Sequence, residues 1–359
     1  MPTDPNITLN ITLGAPPISR AGFGTLCFVK DGLFDDSSRT KLVTRDELLD
    51  LIDDDEFTEE EEDALLAAFA QSPRPNTILI GCTAGGDASL TASLNAIAAD
   101  NGDFYRLVLL VADNATASDT ATDIAAVNAF CAATDRKFYV SIPNDVALDG
   151  SGDLETAIAG LGALALSRTL YVVHPDPGYA TALAFRQSSV DLDQRQAGPF
   201  NRVLTGFADS ELTTAQRAEI DAANGNYVLE VARGRNALRQ ATMADGQFPY
   251  VVSSLDWFSA RVREDYTQLL LDYAARDTKL PLTNEGIAAV EQVLQTRLSQ
   301  GVAADHFAPG GTRTTFPSED DILPDDRAAG RIRGSFLAQI LVGTQSINID
   351  GTLTLDPIN

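Results

Sequence analysis

Residues 76–100 read NTILIGCTAGGDASLTASLNAIAAD. A nearly unbroken apolar run, a glycine-bearing turn and an amphipathic helical pattern follow one another without a gap. The unit then recurs. YRLVLLVAD (105–113) precedes ATDIAAVNAFCAATD (121–135), and KFYVSIP (137–143) precedes DLETAIAGLGALAL (153–166). TLYVVHP (169–175) precedes YATALAFRQSSV (179–190). A strand that is greasy on both faces must be covered on both faces. Alternation of such strands with helices therefore predicts a largely parallel sheet between two helical layers. This α/β unit is expected to run from about residue 21 to 205.

Upstream, FGTLCFVKD (23–31) reads as a short strand, and TRDELLDLI (44–52) and TEEEEDALLAAFAQ (58–71) read as helices. Thr58 with Glu61 has the spacing of a capping box, and acidic residues suit a helix N-terminus. The run Asp53–Asp63 is thus a solvated helix start; it lacks the ligand spacing of a calcium loop. Downstream, after residue 232, two long helices are expected in 254–276 and 284–301, separated by the extended DTKLPL (277–282). HFAPGGTRTTFPSEDDILPDD (306–326) reads as loop, and FLAQILVG (336–343) leads to the end of the chain.

Both ends carry amphipathic strands. Ile7, Leu9, Ile11 and Leu13 share one face, followed by the stiff Pro16–Pro17 connector. Ile347, Ile349, Leu353 and Leu355 share one face at the other end. A terminal strand either folds back on its own domain or adds to a neighbour's sheet through main-chain hydrogen bonds. Two such arms on one chain would let each copy grip two neighbours head to tail, which builds rings or helices.

The 359 residues carry 51 acidic and 26 basic side chains, a net charge of −25, with 44% apolar residues. That composition sustains a core and argues against binding nucleic acid or anionic lipid. No charged-then-apolar leader or long apolar run suggests secretion or membrane insertion. Cys27, Cys82 and Cys131 each lie in an apolar stretch and are expected to be buried free thiols.

Catalytic and cofactor patterns fail on inspection. Gly81 and Gly86 have phosphate-loop spacing, but Asp87 and Ala88 stand where Lys and Ser/Thr are needed, and a carboxylate there repels phosphate. The dinucleotide fingerprint is absent. The two histidines, His174 and His306, are far apart, and no G-x-S-x-G elbow or zinc spacing accompanies them. His174 lies at the carboxyl end of an expected strand, where α/β enzymes keep active sites, although a loop or capping role fits as well. Trp257 is read as core. No catalytic residue, cofactor or metal site is assigned.

The order of these elements resembles the contractile-tail sheath proteins of bacteriophages, in the compact form of some myoviruses. APPISRAGFGTLCFV (15–29), KLVTRDELLD (41–50) and AFAQSPRPNTILIG (68–81) carry the likeness at the front. GNYVLEV (225–231), 241–271 with its Asp256–Trp257 pair, KLPLTNEGI (279–287), FAPGG (307–311) and 334–355 carry it in the second half. None is a catalytic motif; the match is one of order and pattern. The resemblance implies a virion structural protein, not an enzyme, forming stacked hexameric rings around a tail tube. Its arms would weave into neighbouring subunits, and contraction would drive the tube through the host envelope during genome ejection. Its implied partners are other copies of itself, the tube protein, and the baseplate and tail terminator proteins, with assembly in the bacterial cytoplasm. The expected organisation is an arm (1–20), an α/β outer domain (21–205), an α+β inner domain (206–335) and a second arm (336–359). The competing reading is a soluble α/β enzyme, hydrolase-like or nucleotide-binding, with dimerising end strands.

Overall fold

A computed structural model describes residues 22–110, 117–144 and 166–343. Both terminal arms and the helix expected at 153–166 lie outside the described residues, apart from Leu166 and the start of the C-terminal segment. The first strands are β1 (Leu26–Lys30), β2 (Thr40–Thr44) and β3 (Thr77–Cys82), with α1 (Arg45–Asp53) and α2 (Glu59–Phe69) between β2 and β3. Next come α3 (Leu90–Asp100), β4 (Arg106–Leu109), α4 (Ala117–Ala133), β5 (Lys137–Ile142), β6 (Thr169–Val173) and α5 (Tyr179–Ser188). Then follow α6 (Thr214–Ala222), β7 (Asn226–Ala232) and β8 (Arg235–Arg239).

These eight strands form one sheet in the order β2-β3-β1-β4-β5-β6-β7-β8. The strands from β3 to β7 are parallel, and β2 and β8 close the two edges antiparallel. The expected α/β class is therefore observed. Successive strand residues point to opposite faces. Leu26, Phe28, Ile78 and Ile80 join Leu48, Leu65, Phe69 and Phe185 of α1, α2 and α5 in one core. Cys27, Val29 and Leu79 face Leu94, Ile97, Val127 and Cys131 of α3 and α4 in a second. Gly81 is required where β3 meets α3: a Cβ there would stand 2.8 Å from Ile97.

Local signals start the helices as expected. Thr58 and Glu61 form the capping box of α2, and Thr44 and Glu47 form another on α1. β2 is the short strand that the resemblance places before the first helix; residue pattern alone does not mark it. KLVT is short and does not alternate, and it becomes a strand only by pairing with β3. The sheet draws strands from both sides of residue 205. Asn226, fully buried, fastens β7 to the sheet by donating to the Tyr171 carbonyl at 2.9 Å and the Thr242 carbonyl at 2.8 Å.

A C-terminal layer follows: α7 (Pro249–Ala275), α8 (Asn284–Ala303), β9 (Phe307–Thr315), the short α9 (Pro324–Ala328) and β10 (Ser335–Ile340). The two long helices match the sequence reading, with α7 beginning earlier, at a proline suited to a first turn. The stretch expected as loop contains β9. It is held as a strand by antiparallel pairing with β10, with Gly310 in the left-handed region at φ +74°. Trp257, Phe258, Leu294, Leu298 and Phe307 form a third core, which Phe23, Tyr105 and Leu192 join from the sheet side.

Candidate functional site

The residues considered for chemistry are all committed to structure. Asp87 is clamped by Arg39 through two hydrogen bonds of 2.6 and 2.7 Å. It also accepts from Ser93 Oγ at 2.6 Å and from the Ala84 N–H at 3.2 Å. The arginine and these donors hold its carboxyl far below the usual carboxylate range. The loop after β3 therefore presents a satisfied carboxylate where a phosphate loop presents donors. Gly85 and Gly86 form a turn closed by the Asp87 N–H donating to the Ala84 carbonyl at 2.9 Å, with open space around both.

His174 does stand at the carboxyl end of β6, but it is buried. Its Nδ1 accepts from the Asp176 N–H at 3.0 Å, its Nε2 lies 3.2 Å from the Ala208 carbonyl, and its ring stacks on Tyr179. His306 is fully buried, stacked on Trp257 at 4.2 Å and bonded to Ser254 and the Leu192 carbonyl. Burial lowers the pKa of both. All three cysteines are buried thiols; burial pushes Cys82 up to about 11 and Cys131 up to about 12. Among the described residues no group of His, Cys, Asp or Glu is placed to hold a metal, and no helix is long and apolar enough to cross a membrane.

Two features remain. The first is a polar seam between the sheet and α7. Tyr105 Oη donates to Asp256 Oδ2 at 2.7 Å, and Arg168 donates to the same oxygen at 2.6 Å. Lys137 Nζ donates to Ser253 Oγ at 2.5 Å and to the Pro249 carbonyl. Burial pushes the Lys137 pKa well down, yet its donors are matched on α7. Beside it, Arg106 reaches the Phe23 carbonyl at 2.6 Å. Sequence reasoning missed this seam, although a signal existed. A basic residue opens each of three successive apolar runs, at Arg106, Lys137 and Arg168, and neighbouring parallel strands bring those starts together.

The second feature is the β9–β10 pair. No third strand joins it among the described residues, so both of its outer edges offer unpaired backbone groups. Phe336 and Leu337 are 50% and 62% exposed. Phe336 rests on Phe258 at 5.0 Å and borders an apolar groove of about 470 Å³ that Tyr266, Leu270, Leu282, Val290 and Phe316 also line. The arm residues Ile7, Leu9, Ile11, Leu13, Ile347, Ile349, Leu353 and Leu355 lie outside the described residues. The C-terminal segment that carries the last four begins directly beyond β10.

No protein-family model matches the chain, and no curated protein matches it. Solved structures do. The contracted sheath of an extracellular contractile injection system, PVC, superposes with a TM-score of 0.66 at 14% identity, over 99% of both chains. The contracted helical sheath of the anti-feeding prophage gives 0.64 at 14%, over 98% of this chain and 99% of that one. The sheath tail protein of Listeria innocua gives 0.55 at 9%, over 90% and 96%. The fold is that of contractile sheath subunits. The likeness runs through the α/β sheet and the C-terminal layer alike, as the order of elements in the sequence implies.

Proposed function

We propose that this chain is a structural subunit of a contractile sheath and is not an enzyme. The observation that carries the reading is the near-complete coverage in both directions of solved sheath subunits, by a chain whose polar candidates are all engaged structurally. The subunits assemble as stacked hexameric rings around a tail tube and meet baseplate and terminator proteins at the two ends of the particle. In this reading the sheet layer lies outward, the layer from α7 to β10 lies toward the tube, and the arms at either end link neighbours.

The unfinished β9–β10 pair supports the linkage. Unpaired edges suit added strands, and the alternating patterns at both ends of the sequence are those of amphipathic strands. Contraction then requires no nucleotide. Subunits assemble in a trapped arrangement, and a trigger at the baseplate lets each ring rotate and close on the next.

The test is negative-stain electron microscopy of the purified chain. Hollow cylinders are expected, and a small, discrete oligomer would favour the α/β enzyme instead. Deleting residues 1–13 should leave a folded, soluble chain that forms no cylinders. Ile349→Asp should block assembly while Asn348→Asp, on the opposite face of the strand, is tolerated. Equal behaviour of the last two would remove the C-terminal arm from the reading.

A further inference from the structure

The two edges of the eight-stranded sheet carry opposite charge. At the β2 edge, residues 45–63, which form α1, the connection after it and the start of α2, hold twelve acidic residues against Arg45 alone. Asp50, Asp53, Asp54 and Glu59 are exposed there, and none is in an ion pair among the described residues. At the β8 edge, residues 194–208 and 231–244 hold Arg195, Arg202, Arg233, Arg235 and Arg239, and the one carboxylate of the β7–β8 hairpin, Glu230, accepts from the Gly234 N–H at 2.7 Å. The two segments are neighbours. Arg202 and Leu238 exchange a backbone hydrogen bond of 3.0 Å, and Val203 bridges Ala237.

None of these arginines is in an ion pair among the described residues. The nearest polar engagement is that of Arg239, which donates to Asn201 at 2.9 Å. Burial, and then the like charge of Arg195, lowers the pKa of Arg202. In a chain of net charge −25, five arginines gathered about a hairpin with a single carboxylate, Glu230, make a locally basic strip. Edge strands often carry charge to discourage strand addition, but that role is served by either sign and by mixed pairs.

We infer that the arginine strip along β8 docks against the acidic α1–α2 edge of a second copy of this chain. The edges are at opposite ends of one sheet, roughly 34 Å apart at ordinary strand spacing, so the contact is head to tail. A heterologous contact of this kind propagates into a ring or a helix. It also lets strongly acidic copies approach, because each meets its neighbour through its one basic edge. The inference rests on the self-assembling reading above and adds the surface and the charges through which the sheet layers meet.

The experiment compares critical concentrations for cylinder formation by sedimentation and electron microscopy, on full-length chains. Asp50→Lys, Asp53→Lys and Asp54→Lys are combined. All three stand at the exposed C-terminal end of α1, where positive charge is compatible with the helix dipole. The triple variant has a net charge of −19, since each change adds two positive charges. Reduced general repulsion would make it assemble more readily than the wild type. The dock requires the reverse, a critical concentration raised about tenfold or more. Arg233→Glu with Arg235→Glu should raise it similarly, and the chain carrying all five reversals should return to within about threefold of wild type.

Thermal melting checks that each variant is folded. The inference is overturned if the triple lysine variant assembles as well as or better than wild type, or if the fivefold variant is no better than either parent. A wild-type chain that forms no cylinders overturns the sheath reading itself, and this dock with it.

Discussion

In the eight-stranded sheet the interior strands are covered on both faces, and each edge is closed by an antiparallel strand. In the β9–β10 pair Phe336 rests on Phe258 yet stays 50% exposed, Leu337 on the other face is 62% exposed, and no third strand is present among the described residues. The first sheet buries its apolar surface within one chain. The second has no further strand on either edge among the described residues. On the sheath reading proposed above, a chain that exists both as a subunit and within a polymer divides these tasks between two layers. The seam at Tyr105, Lys137, Arg168 and Asp256 joins them.

That seam is where the comparison can be broken most severely. Asp256→Ala removes the carboxylate that Arg168 and Tyr105 share, in a site where Asp256 is only 7% exposed, and leaves Arg168 only its longer contact with Asp135 at 3.3 Å. Removing one partner of a buried ion pair costs about 3–5 kcal/mol. Trp257 is the single tryptophan and sits in the C-terminal layer, so its fluorescence follows that layer, while far-ultraviolet circular dichroism follows the whole chain. In urea the wild-type transitions should coincide. In Asp256→Ala the fluorescence transition should come first. Coincident transitions in the variant would mean that the layers are joined chiefly by apolar contact.

Next in size are paired substitutions, one in each sheet. Leu79→Ala removes a fully buried side chain from β3 and should cost about 2–5 kcal/mol by urea denaturation. Leu337→Asn changes a side chain that is 62% exposed and should stay within about 0.5 kcal/mol of wild type. Yet Leu337→Asn should impair cylinder formation, which Leu79→Ala, if folded, should not. If Leu337→Asn destabilises the isolated subunit as much as Leu79→Ala, the β9–β10 pair is already complete within one chain.

How much of this was legible in the sequence follows the same division. The strands of the first sheet announce themselves because burial on both faces demands continuous apolar runs such as TILIGC and KFYVSI. The capping boxes are local and were read directly from Thr58 and Glu61. β9, with the sequence FAPGGTRTT, has neither period nor propensity, and it is a strand only because β10 lies beside it. β2, TKLVT, has strand propensity in its threonines and valine but no alternation, and its pairing with β3 places it at an edge. The seam escaped notice because its members are 151 residues apart in the Tyr105–Asp256 bond. The charge asymmetry escaped because the acidic and basic segments meet only in strand order, which sequence alone did not supply. Alternation at Ile7–Leu13 and Ile347–Leu355 was plain from the sequence, whereas the use of those strands rests on the assembly experiments.

The smallest effect expected is one of pH, and it separates the two layers by their histidines. His174 belongs to the sheet layer. Its Nδ1 accepts from the Asp176 N–H, which a protonated ring could not do, and burial lowers its pKa below the ordinary 6.5. The unfolded chain therefore takes up this proton at a higher pH than the folded one. Stability from this group is fully present at pH 7.5, begins to fall as pH drops through about 6.5, and levels off only below the folded-state pKa. One proton bound preferentially by the unfolded chain corresponds to a slope of at most about 1.4 kcal/mol per pH unit. Melting temperature should accordingly be lower at pH 5.5 than at pH 7.5. His174→Gln should flatten that difference while lowering stability at pH 7.5, because the ring also stacks on Tyr179 and Phe207. His306, lowered in the same direction within the C-terminal layer, supplies the remaining slope. If His174→Gln leaves the pH slope unchanged, the sheet layer contributes nothing to acid sensitivity, and the C-terminal layer alone opens on acidification.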